Sequence, residues 1–433
     1  MKKIRLLFCL SVLLSLFVGC QPFFRGLLHP STQPKDSVNA TEHGVSPEND
    51  GSQNSKALQS LIDELSAEGG IIYIPSGEYE FSANGTQTIG DHCIKMRSNV
   101  SIVGDGSSTV LKPQGESFYG LDMFYFNEYL DTGNAVYLKN CRFEHFMIDA
   151  INTSCTYYTS AGKGFMFNLF ENCHWKNVTV KNTDATGFGV DCPINSTISD
   201  CVAFFCGKAA TEESTGASGF GIGFGYSENE SLTITNCQAN GNKKFGFFFE
   251  HQGRFNEKKY SAAPTKLFEV TNCQAEGNLF GFGTICSINT VYENCQAEAS
   301  LRYGFVFADS QHSKAVDCTS EKAGEASFAI LQTVTNGETD VSYISILDCV
   351  SRMAPIGVKI SGENPSAHMM GNRVGNSVFE QTAQPIYTSG KMQNLTLSGN
   401  RADSAKNSFH AEIKDFKNTD NSWNKTNTDS DQN

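Results

Sequence analysis

No two of the fifteen cysteines form a C-x-x-C pair, which excludes the converging thiolates of a zinc knuckle. No tight aspartate cluster of the EF-hand kind occurs either, so no metal ligand or cofactor is assigned and nothing positive supports calcium. After the N-terminal apolar run, no segment is long and apolar enough to span a bilayer. The chain is acidic, with a formal net charge of −13, and shows no long basic face, which argues against nucleic acid as its partner. A polyanionic substrate would therefore depend on a local cationic patch. Helical periodicity is scarce as well.

What is abundant is a repeat. Eight cysteines follow an Asn or Asp: Asn140-Cys141, Asn172-Cys173, Asp200-Cys201, Asn236-Cys237, Asn272-Cys273, Asn294-Cys295, Asp317-Cys318 and Asp348-Cys349, spaced 22 to 36 residues apart. A period in this range signals a solenoid. After most of them comes a Gly-aromatic strand, as at Gly187-Phe188, Gly219-Phe220, Gly246-Phe247, Gly281-Phe282 and Gly304-Phe305. Period-two alternation turns Phe224, Phe247, Phe249, Phe282 and Phe305 inward, and Asp191, Gly223, Gly225, Lys244, Phe248, Glu250, Arg302 and Val306 outward. The expected fold is all-β, a right-handed parallel β-helix. Small and readily buried, the repeat cysteines are expected to stack as one internal ladder of free thiols, each preceding Asn or Asp bonding turn backbone.

Lys2, Lys3 and Arg5, an apolar run from Leu6 to Val18, and Gly19-Cys20 form a secretory signal. Its end, Leu16-Phe17-Val18-Gly19-Cys20, resembles the bacterial lipobox, which implies cleavage before Cys20, lipidation of its thiol and a place in the cell envelope, facing outside the cytoplasm. Four segments are expected: a signal at 1–19, a flexible tether at 20–48, the β-helix at 49–417 and a disordered tail at 418–433.

Leu58, Leu61, Ile62 and Leu65 recur at helical spacing, with Asn54 or Ser55 available as N-cap and Gly69-Gly70 as stop. This helix is expected to cap the mouth of the solenoid. The segment from Asn49 to Tyr79, with the following Lys95 to Lys112, resembles the entry coils of the pectate-lyase-like β-helix superfamily of polygalacturonases, tailspike depolymerases and mannuronan epimerases. The superfamily's paired aspartates are replaced here by Gln53-Asn54-Ser55. The fold hosts lyases, hydrolases, epimerases and binders, so the reaction has to come from the site.

Asp191 and Glu250 are expected to face the same way two coils apart, about 10 Å on regular stacking, above a floor of glycines from Gly219 to Gly225. Such a pair suits inverting glycoside hydrolysis of the polygalacturonase type. Glu250-His251-Gln252-Gly253-Arg254 sets an acid, an imidazole and a guanidinium side by side. His251 is a candidate general base and Arg254 a candidate carboxylate clamp. Lys163, in a glycine-bearing loop, with Lys244 and Arg302 on neighbouring strands, would neutralise a uronate carboxylate and stabilise a developing enolate.

The stretches from Ile148 to Lys163 and from Asn177 to Asp191 are similar to the central coils of mannuronan epimerases. The resemblance implies that Lys163 is the family's loop lysine, Asp191 its carboxylate and Lys244 a replacement for its strand arginine. Its catalytic tyrosine falls on Phe188 and its histidine on or near Pro193, which leaves His251 or Tyr226 to take those roles. The leading reading is a surface-anchored, polysaccharide-active lyase or epimerase acting on a uronate-containing glycan. The alternatives are the hydrolase and a non-catalytic glycan-binding or adhesive lipoprotein.

Overall fold

The computed structural model describes residues 33–423, apart from 84–89, 212, 256–260, 334–340, 363–368 and 404–406. Its first α-helix, Gly51–Leu65, starts from Asp50 rather than from Asn54 or Ser55. Asp50 and Gln53 form a reciprocal capping box. Asn54 and Ser55 are buried instead and tie the helix to the first coil, Asn54 through Glu80 O at 3.1 Å and Ser55 through Ser82 O at 2.8 Å. Leu58, Leu61 and Ile62 face the core, so the helix covers apolar surface at the start of the solenoid.

Among the described residues the strands form a 25-stranded sheet, a 15-stranded sheet and a separate pair, Gly115–Ser117 with Thr153–Cys155, all with parallel pairing from coil to coil. Crossovers between parallel strands are right-handed in about 98% of cases, and the molecule is a right-handed parallel β-helix. Both expected boundaries shift. Val38–Asn39 already pairs with Gly70–Tyr73, inside the segment expected to be a tether. The expected tail continues the coil through Lys417–Thr419 and Ser422–Trp423, because these residues find backbone partners on the preceding coil and Trp423 packs against the core. Residues 424–433, like the signal and Cys20, lie outside the described residues.

The Gly-aromatic strands line the 15-stranded sheet. Phe124, Phe165, Phe188, Phe220, Phe247, Phe282, Phe305 and Phe328 stack one per coil, with centroids 4.7 to 5.4 Å apart. A glycine precedes the six from Phe165 to Phe305 and lets the corner close. A Cβ on Gly281 would stand 2.5 Å from Gly304 O and 2.8 Å from Ala297 Cβ. The five phenylalanines expected inside are all fully buried.

The cysteines form two ladders rather than one. Register puts Cys141 over Cys173, whose backbone N–H donates to Ser196 Oγ at 3.1 Å. Cys201 instead aligns beyond Val178 and opens a second ladder through Cys237, Cys273, Cys295, Cys318 and Cys349. All eight thiols are free and buried. The residue before each adopts left-handed φ, between 50° and 58°, a region Asn and Asp tolerate. Where they are amides, these side chains bond one another rather than turn backbone: Asn172 to Asn140 at 2.8 Å and Asn294 to Asn272 at 2.7 Å.

Candidate functional site

On the outer face of the 15-stranded sheet, Asn168, Asp191, Gly223 and Glu250 occupy successive places in one row. Asp191 accepts the Gly223 N–H at 2.7 Å. Burial raises its carboxyl above the usual range, opposed by the Lys163 ammonium and by that N–H. The Lys163 side chain lies over Gly189, two residues before Asp191: a Cβ there would stand 2.5 Å from Lys163 Cδ and 3.1 Å from Nζ.

Asp122, which sequence reasoning missed, flanks the same lysine. Its Oδ1 accepts the N–H groups of Gly162 and Lys163 at 2.9 and 2.7 Å. Burial pushes its carboxyl up to about 6, against the pull of Lys163 and these two donors. Its raised pKa comes from tertiary burial, so no local pattern could have marked it.

The space above Gly223 is not an open floor. It holds the Gln252 amide, whose Nε2 and the Asp191 Oδ1 both lie within 2.6 Å of where a Gly223 Cβ would sit. Gln252 Nε2 also donates to Glu250 Oε1 at 3.3 Å. Asp191, Gln252 and Glu250 therefore form a continuous polar row. Gln252 is the second residue missed, because a turn brings it back over the neighbouring coil.

His251 does not belong to that row. It pairs in register with Phe224, a fully buried residue, and packs edge-on against that ring at 5.4 Å. Strand alternation puts it on the face opposite Glu250. Its Nδ1 accepts the Gly253 N–H at 3.1 Å, and its Nε2 lies 2.8 Å from Ala262 O. Both ring nitrogens serve the backbone, which corrects the general-base expectation.

The expected cations are not all brought together. Lys244 Nζ donates to Ser214 O. Leu279 stands between Lys244 and Arg302 in register, so the two are not on neighbouring strands. Arg302 pairs with Glu325 at 3.1 Å and lies over the Phe280 and Tyr303 rings. Glu325 also holds Lys359 at 2.8 Å and the Tyr303 hydroxyl at 2.6 Å. Phe248 and Val306 do face outward, but they bury one another with Phe245 and Tyr303 in a second apolar cluster. Arg254 lies in the turn Gln252–Phe255, and its side chain falls outside the described residues.

Tyr226 sits beyond the end of the glycine strand, its ring edge-on to Tyr137 at 6.4 Å. Its N–H, with those of Gly225 and Ser227, donates to the buried Glu230 carboxylate at 2.6 to 3.2 Å. Burial still raises Glu230 to about 7. Among the described residues, no group of three or more His, Cys, Asp or Glu could hold a metal ion, and no helix is long and apolar enough to cross a membrane.

The fold is similar to that of solved enzymes at low sequence identity. The A-module of a mannuronan C-5 epimerase from Azotobacter vinelandii superposes with a TM-score of 0.66 at 18% identity, covering 88% of this chain and 99% of that one. A family 28 exopolygalacturonase from Yersinia enterocolitica gives 0.57 at 13%, covering 90% and 78%. The catalytic unit of an α-1,3-glucanase from Streptomyces thermodiastaticus gives 0.56 at 12%, covering 92% and 71%. No curated protein matches the sequence. Residues 37–306, more than half of the chain and including the whole polar row, match the family described as rhamnogalacturonase A/epimerase, pectate lyase-like, and the chain belongs to that family.

Proposed function

We propose that this protein is a polysaccharide-active β-helix enzyme that removes the ring proton beside the carboxylate of a uronate residue, giving lyase or epimerase chemistry. The observation that carries the reading is the Lys163 ammonium lying over Gly189 beside a carboxyl raised by burial, that of Asp191. Lys163 neutralises the substrate carboxylate, which acidifies the adjacent C–H. Asp191 takes that proton, and its raised pKa makes it a stronger base than a solvated carboxylate. The electron pair then either expels the glycosidic oxygen, which leaves as a hydroxyl by taking a proton from solvent (lyase), or takes a solvent proton on the opposite face (epimerase), and Asp191 returns its proton to solvent. The fold of mannuronan C-5 epimerases supports the substrate class.

Inverting hydrolysis by Asp191 and Glu250 is the second reading. It requires a water between the carboxyl groups, where this chain carries the Gln252 amide, and that disfavours it. The proposal includes anchoring to the outer face of a bacterial membrane through Cys20; Cys20→Ala should then move the protein to soluble fractions.

Incubation with polymannuronate, polygalacturonate and neutral glucans in D2O tests the chemistry. Absorbance at 235 nm reports a lyase and deuterium at the ring carbon an epimerase. New reducing ends with neither signal would replace the reading by hydrolysis. Binding without any of the three would replace it by a non-catalytic module. Asp191→Asn should lower turnover about 10²–10⁴-fold.

A further inference from the structure

The strand Phe245–His251 ends on a histidine whose ring is wholly engaged with backbone. Because Nδ1 accepts the Gly253 N–H, the ring proton resides on Nε2, which donates to Ala262 O. A neutral imidazole alone offers an acceptor and a donor at fixed positions on one rigid ring. The two bonds tie residue 253 to residue 262, and Ala262 N donates in turn to Gly225 O at 2.8 Å. The ring has a seat made for it: a Cβ on Gly225, at φ +116°, would stand 2.8 Å from Cε1 and Nε2. His251 thus ties Gly253 and Ala262 to one ring, and that ring sits on Gly225 of the preceding coil.

Gln252 lies between the stapling residue and its first partner, and its side chain is the one that crosses Gly223. There it meets Glu250 Oε1 at 3.3 Å and shares the space above the glycine with Asp191 Oδ1. A neutral amide here separates two carboxylates, which would otherwise repel across the row. With one N–H given to Glu250, it still presents an acceptor and a donor, the complement of a sugar hydroxyl.

We propose that His251 is a positioning residue whose ring clasps the turn Gln252–Phe255, and that the Gln252 amide held by that clasp between Asp191 and Glu250 binds a sugar hydroxyl. The hydroxyl-binding half rests on the glycan reading above. The clasp does not.

Two measurements separate the halves. Long-range ¹H–¹⁵N spectra of the native protein, assigned with His251→Ala, should show the His251 ring protonated on Nε2 and bare on Nδ1. Amide exchange of Gly253 should accelerate in His251→Ala and in Gly225→Ala, which keeps the histidine but displaces its ring. A proton on Nδ1, or unchanged exchange in both variants, overturns the clasp whatever the protein binds.

Calorimetric titration with oligogalacturonate and oligomannuronate of equal length then reads the amide. Gln252→Ala and His251→Ala should each weaken binding about 3- to 10-fold, the loss of one to two hydrogen bonds. The double variant should be no weaker than either single, as expected of residues acting as a unit. Additive losses, or wild-type affinity in Gln252→Ala, overturn the amide's role. Failure of the native protein to bind either probe overturns the glycan reading and that role together, while the spectra still decide the clasp.

Discussion

Lys163 runs across Gly189 so closely that a β-carbon on the glycine would stand 2.5 Å from its Cδ. The glycine is therefore a seat for the ammonium, and its backbone needs no left-handed conformation. Gly189→Ala should retain the fold and displace the lysine from Asp191. Turnover of a uronate polymer is expected to fall at least about tenfold, a loss of ~1.4 kcal/mol in transition-state stabilisation. Lys163→Met should fall further, and the comparison of kcat/KM in both variants checks it.

Asp122 carries a pH signature. Its folded pKa, about 6, lies above the ~3.9 of an unfolded aspartate. The folded state therefore holds this proton more tightly, and the stability it contributes is complete below about pH 3.9 and lost as pH rises through about 6. Glu230, raised to about 7, acts with the same sign over a window reaching higher pH. Asp122→Asn removes the charge and keeps an acceptor for the Gly162 and Lys163 N–H groups. It should stabilise the protein at pH 8 by on the order of 2 kcal/mol and leave pH 3.5 nearly unchanged. Denaturant unfolding at the two pH values reads the difference.

Much of the fold and part of the site were legible in the sequence, for identifiable reasons. Alternation and the Gly-aromatic strands determine which residues face inward, so the phenylalanine stack and the shared row of Asp191 and Glu250 follow from local pattern. The same alternation also turns His251 inward, a consequence obscured by its charged neighbours. Gln252, Asp122 and Glu230 owe their roles to turns and burial, which residue types do not encode. The two cysteine ladders share one local motif and differ only in coil alignment.

Phe188 occupies the place where the epimerase resemblance puts a tyrosine, yet it is fully buried and stacks on Phe165 at 5.4 Å and Phe220 at 4.7 Å. A hydroxyl added there would enter the phenylalanine stack without reaching the outer row. Phe188→Tyr should give no gain in turnover and cost about 1–3 kcal/mol of stability by burying an unpaired hydroxyl. Phe188→Ala should cost about 3–5 kcal/mol. Increased activity in the tyrosine variant would show that this residue reaches the site.

The separation of the cysteine ladders makes the sharpest stability prediction. Cys173 and Cys201 are consecutive members of the sequence repeat but belong to different ladders, whereas the Cys237 backbone N–H donates to Cys273 Sγ at 3.3 Å within one. Removing a buried thiol leaves a small cavity, and each Cys→Ala should cost about 1–2 kcal/mol. Neighbours that share a cavity and a hydrogen bond fail to add, while residues without shared partners add within about 0.3–0.5 kcal/mol. A double-mutant cycle on Cys237 and Cys273 should therefore show coupling above about 0.5 kcal/mol, and one on Cys173 and Cys201 should show none. A single continuous column would couple both pairs alike. Native labelling with a bulky thiol reagent gives a parallel check, since Cys237, Cys273 and Cys295 are fully buried and should react only when the coil unfolds.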